Sequence, residues 1–393
     1  MAKTVKVPKH GFPAEEFAHR HERARKAMDA AGLDALVVTT PQNIRYFTGF
    51  ETQFWESPTR PWYLIVPRAG QIIAVFPSIG EPALLATTSV RDIRTWSSPD
   101  LKDDGISLMA ATLLDLKRKH GKIGWEFGRE MLVRAPRIDV DRIARKARGL
   151  QFTDGSPTIW GLRQVKSAAE IDRIRVACTI ASDAYDEVPR MTKVGDTTRQ
   201  SELKLRTMLM QKGADHVPFI ATAAGQGGYD QIIAGPGEHK LRKGDVLFHD
   251  IGCTYDGYFC DFDRNFAVGK ISDDAKRIHE VLWLATEAGM KAARPGRTMQ
   301  DVFHVMAKFL EDAGSIGNNV GRIGHGLGMH LTEPPSFMLG NETPIVPGMV
   351  LTIEPGMEYA PGKMLVHEEN IAIGESRNEL LTRRAPREMP VIG

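Results

Sequence analysis

Acidic side chains buried inside apolar, strand-like runs constrain this chain more than any other feature. Residues 243–266, KGDVLFHDIGCTYDGYFCDFDRNF, read as two apolar-alternating strands joined at Asp256 and Gly257. An Asp-Gly pair between such runs is a strong hairpin signal. Pairing about that turn brings Asp250 roughly opposite Asp261, so both carboxylates share one face. A buried Asp in a strand is costly unless something neutralises it. The same conflict recurs downstream. Glu354 ends the apolar strand PGMVLTIEPG, beside Val350, Leu351 and Ile353. Glu369 lies inside MLVHEENIAI, with His367 and Ile371 at even spacing and therefore on its face. His325 sits in RIGHGLGMH, whose glycines let backbones approach closely. Together these four carboxylates and one imidazole form a hard, oxygen-rich donor set suited to Mn, Fe(II), Co or Zn. We expect them to form one centre for two divalent metal ions, which would acidify a water and polarise a carbonyl.

The 393 residues are too many for one ordinary core and predict two domains. A net charge of +2 gives no basis for nucleic acid as a partner. The cysteines, Cys178, Cys253 and Cys260, are odd in number and lack metal-type spacing. That pattern predicts a reducing, cytoplasmic setting without a disulfide framework. The opening MAKTVKVPKHGFPAEEF has no apolar core of the kind a secretory signal needs. No apolar run approaches the length of a membrane span, so no membrane partner is expected.

Residues 14–32 have helical apolar spacing and end at a glycine. LDALVVTT follows as a buried strand, and PQNIRYFTGF as a turn with a short segment. WYLIVPRAGQIIAVF reads as a hairpin turning at Arg68–Gly70. GKIGWEF is strand-like, and a helix is expected near 138–148. Such alternation predicts a smaller α/β domain. Ser167 with Glu170 three residues on forms a capping box that opens a long helix. Further helices are expected near 198–212, 272–293 and 298–314, with strands near 349–354 and 364–373. We therefore expect a two-domain α/β protein divided into residues 1–158 and 159–393.

In order, the Asp pair eleven residues apart, the GHG at His325, the TIEPG at Glu354 and a final acidic strand resemble the metallopeptidase family M24, which includes creatinase, prolidase and aminopeptidases. The resemblance implies a C-terminal "pita-bread" catalytic domain and a creatinase-type N-terminal domain. It implies Asp250, Asp261, His325, Glu354 and Glu369 as metal ligands, with Asp261 and Glu369 bridging two ions, most simply manganese. Glu354 would also carry a proton beside the attacking water. Dimeric members use the partner's N-terminal domain to close the site, so a homodimer is expected, with Trp55, Arg60 and Trp62 as candidate contributors.

Several positions depart from the prolidase pattern, among them His367, which stands two residues before Glu369 where an arginine is common. Thr332 stands seven residues after His325, where such peptidases carry a substrate-holding histidine, and Gly321 stands four residues before it, where aminopeptidase P-like members carry another. His330 and His367 are the candidate replacements, and His239 a weaker one. The expected function is metal-dependent hydrolysis of a small amide, most simply an Xaa-Pro dipeptide. The altered histidines leave two other readings open. One is an enzyme on a non-peptide substrate, either an amide or amidine hydrolase or a dimethylsulfoniopropionate-type lyase. The other is a binding module without catalysis.

Overall fold

The computed structural model describes residues 7–57, 60–317 and 321–393. The first six residues of the opening segment therefore lie outside the described residues. Packing separates two units, one comprising His10–Arg163 and the other Gln164–Gly393 together with residues 7–9. The helix Ser156–Gln164 contains the expected 158/159 boundary, and the units part at the end of that helix.

The N-terminal unit is a six-stranded mixed sheet flanked by helices. Its strand order is Asp92–Trp96, Ile73–Pro77, Tyr63–Pro67, Ala35–Val38, Lys122–Trp125, Gln151–Asp154. The helix Ala14–Ala31 stops where Gly32 adopts φ 65°, the left-handed cap that glycine favours. The strand Ala35–Val38 is buried along its whole length, which explains its unbroken apolar run. PQNIRYFTGF differs from expectation. Pro41–Thr48 is a full helix, with Pro at its first position and Gly49 as its cap. At eight residues it is too short for apolar periodicity to declare itself. Trp62 stacks on Phe50 at 5.5 Å and packs at a tilt against Phe76 at 4.8 Å, so it serves the core of this unit. Arg60 pairs with Asp104.

The C-terminal unit holds two five-stranded sheets and a two-stranded ribbon. In the first sheet, Asp245–Tyr255 lies between His216–Gln226 and Phe262–Val268. The second runs Glu333–Ser336, His325–Gly326, Val350–Ile353, Glu369–Ala372, Glu379–Leu380. The helices Ala168–Tyr185, Asp273–Ala292 and Met299–Asp312 belong to this unit. The Ser167/Glu170 capping box is present. Leu282, Met306, Phe248, Leu351 and Ile371 meet in one buried core. No helix among the described residues is long and apolar enough to cross a membrane.

Candidate metal centre

Five acidic side chains and one histidine form the polar heart of the C-terminal unit. The hairpin supplies three of the acids. Tyr255 pairs with Tyr258 across a two-residue turn in which Asp256 and Gly257 take φ of 51° and 79°. That turn carries the register back so that Asp250 opposes Asp263, two residues from the partner expected. The shared face survives, because Asp261 and Asp263 are two residues apart and point the same way. The Tyr185 hydroxyl lies 2.8 Å from the carbonyls of both His249 and Phe262, pinning the strands together. Asn370, from the second sheet, accepts from the Asp261 N–H at 3.0 Å and donates back to its carbonyl.

The second sheet supplies the rest. The His325 N–H bonds to Thr352 Oγ1 at 3.1 Å. A Cβ on Gly324 would lie 2.3 Å from the Thr352 carbonyl oxygen, so only glycine allows this approach. His325 Nδ1 lies 2.9 Å from the Gly326 carbonyl, which fixes the proton there and leaves Nε2 as a lone pair. Nε2 is 3.5 Å from Asp261 Oδ2 and 4.0 Å from Glu354 Oε2. Burial, aided by the Arg322 charge, holds this imidazole down to about 4, so it is neutral at pH 7. Ile353 pairs with Glu369, and one step further along that register Glu354 faces Glu368.

That step corrects one ligand assignment. Donor atoms of Asp261, His325 and Glu368 all lie within 4.8 Å of one another. Glu369 turns the other way. Its carboxylate accepts from Arg264 at 3.0 Å, Arg384 at 3.0 Å, the Ala385 N–H at 2.9 Å and the Thr382 hydroxyl. Adjacent strand residues point to opposite faces, so one of the two glutamates must leave the centre, and the paired arginines hold Glu369. His367 is corrected with it. Its Nδ1 lies 3.0 Å from Thr286 Oγ1 and its Nε2 3.3 Å from Arg384. Nor does His330 join the cluster: its Nδ1 is 3.9 Å from Glu333. Glu333 in turn accepts from the Met329 and His330 N–H groups and from buried Lys166 at 3.0 Å, which shapes this loop. His239 binds Asp245 at 2.9 Å, and His249 lies buried between Ser201 and Thr222 hydroxyls.

The electrostatics of the cluster point to a cation. Burial first, then mutual repulsion, pushes Asp250, Asp261, Asp263 and Glu368 well above the ordinary carboxylate range. Burial raises Glu354 to about 7, opposed by the Arg322 charge. Asp250 Oδ1, both Asp263 oxygens and Glu368 Oε1 are buried without a hydrogen-bond partner among the described residues. Orphaned acidic oxygens are costly, and a neutral imidazole lone pair aimed at carboxylates has nothing to share with them. A divalent ion between them satisfies both. Asp250, Asp261, His325, Glu354 and Glu368 fit such an ion by chemistry and placement. Arg322, half-buried in the loop before His325, is a site residue that the sequence reading passed over.

Comparison with known proteins gives matches along nearly the whole chain. The model for metallopeptidase family M24 matches residues 172–375, and that for the creatinase/prolidase N-terminal domain matches residues 20–165. A probable dipeptidase PepE of Mycobacterium tuberculosis is 29% identical over 383 residues, covering 97% of this chain and 98% of that protein. The crystal structure of dipeptidase PepE from Mycobacterium ulcerans matches with a TM-score of 0.82 at 28% identity, covering 97% of this chain and 99% of that one. A prolidase from Thermococcus sibiricus matches at 0.84 with 26% identity, covering 97% and 100%.

Proposed function

This chain belongs to metallopeptidase family M24, and we propose that it is a dipeptidase, cleaving the C–N amide bond of a short substrate such as an Xaa-Pro dipeptide. The observation that carries the reading is the set of buried, mutually repelling acids around the neutral imidazole of His325. Its support is the likeness to proteins named dipeptidase PepE and prolidase.

Asp250, Asp261, His325, Glu354 and Glu368 would hold two divalent ions, which we propose to be manganese from the hard donor set. Such ions polarise a carbonyl oxygen and lower the pKa of water. The remaining work falls to the side chains. Glu354, beside the position of the attacking water, takes its proton and delivers it to the leaving nitrogen. The Thr332 hydroxyl, 3.5 Å from His325 Nε2, is placed to donate to a substrate oxygen where prolidase-type enzymes use histidine. The Lys166–Glu333 pair holds the loop that carries Thr332. A cytoplasmic homodimer completes the reading. Three buried, unbridged cysteines support a reducing compartment.

A second reading is hydrolysis of a non-peptide amide, favoured by Thr332 and Gly321 at two of the departing positions. Apoprotein reloaded with Mn(II), Co(II), Fe(II) or Zn(II) should release proline from Xaa-Pro dipeptides. Silence on every dipeptide, together with turnover of a non-peptide amide, would replace the first reading by the second.

A further inference from the structure

The loop entering His325 carries a guanidinium whose obvious partners do not claim it. Among the described residues Arg322 makes no ion pair, and its hydrogen bond is a long 3.5 Å contact from Nη2 to Thr332 Oγ1. Yet its charge acts on Asp261, Glu354 and His325. Arg322 thus stands beside the centre, one side chain outward from it, with Thr332 between. The Thr332 hydroxyl lies 3.5 Å from Arg322 and 3.5 Å from His325 Nε2.

Cations bound among the acids would neutralise the charges that now balance Arg322. A half-buried guanidinium left in that position needs another anion. Its planar fork suits a carboxylate held by two parallel hydrogen bonds. In a dipeptide the free carboxylate lies one residue from the scissile carbonyl, matching the order His325, Thr332, Arg322.

We propose that Arg322 is the specificity-determining residue of this site and takes the free α-carboxylate of a short peptide. The inference rests on the dipeptidase reading for its substrate, although not for its carboxylate. Substrates with that carboxylate blocked lose the contact, so the site selects dipeptides over longer chains.

The test compares alanyl-proline with alanyl-prolinamide on manganese-loaded wild type, Arg322→Gln and Arg322→Lys, with calorimetric binding of L-proline and L-prolinamide alongside. A charged, paired hydrogen bond predicts a KM for alanyl-proline raised about 10- to 100-fold in Arg322→Gln. Turnover number should change less, and the preference over the amide should vanish. Arg322→Lys should recover part of the loss. Equal losses on both substrates, or no loss, overturn the inference. If wild type cleaves neither peptide, the dipeptidase reading fails, and calorimetry decides the role of Arg322 separately. A wild-type preference for L-proline over L-prolinamide that disappears in Arg322→Gln upholds it, and no such preference overturns it.

Discussion

Glu368 and Glu369 are neighbours in the chain and opposites in environment. Glu368 lies with Asp261 and His325, one oxygen buried without a hydrogen-bond partner among the described residues. Glu369 is held by Arg264 and Arg384. The two should therefore fail differently. Glu368→Gln should lose at least one metal ion by elemental analysis while remaining folded. Glu369→Gln should keep its metal but be destabilised by about 3 kcal/mol in urea, because two arginines lose their shared partner. The opposite pattern of metal loss would return Glu369 to the centre.

Glu354→Gln keeps the shape of the side chain and removes its proton chemistry. The variant should stay folded and bind metal, with turnover reduced at least about 100-fold. Near-wild-type turnover would show that another group moves the proton.

Removing the metal should cost stability. The acids of the centre repel one another when nothing lies between them. Free metal at about 100 times its dissociation constant contributes about 2.7 kcal/mol. Chelation should lower the thermal midpoint of wild type, and manganese should restore it. The same treatment should leave Asp261→Ala less affected, since that variant is expected to have lost an ion already.

Asp34, in the N-terminal unit, offers a pH test that does not involve the acids of the centre. Burial raises its carboxyl, but backbone N–H groups of Lys119, His120 and Gly121, with Arg68, outweigh that and leave it below the ordinary aspartate value. A carboxyl depressed by folding stabilises above its unfolded pKa, and the benefit disappears as pH falls through the folded one. Asp34→Asn should cost about 1.5 kcal/mol at pH 7. The gap between wild type and variant, by chemical denaturation, should begin to shrink near pH 4 and close below it. A gap independent of pH would mean the loss is one of packing.

Much of this was legible in sequence because each acid was out of place locally. Asp250, Asp261 and Glu354 interrupt apolar strands, and His325 sits among glycines that only close backbone approach requires. What local pattern does not carry is phase. Alternation requires Glu368 and Glu369 to face opposite ways but does not say which faces the centre. The answer comes from Arg264 and Arg384, 105 and 15 residues away in the chain. His367 followed the same phase. Arg322 was hidden for a different reason: a loop arginine looks solvated until Thr332 and the acids are folded around it. The helix Pro41–Thr48 was missed because eight residues give periodicity little to work with.

The hairpin turn has a consequence for how such a chain tolerates change. Asp256 and Gly257 set the count that places Asp250 opposite Asp263 and leaves Asp261 on the same face. The tip behaves as a ruler. Asp256 also pairs with buried Arg173 at 3.1 Å, but it is the length of the tip that sets the register. One added or deleted residue there would slip the pairing by one and turn one strand's acids away from the other's. Insertions and deletions at this tip, and not only substitutions at the ligands, would therefore switch the centre off.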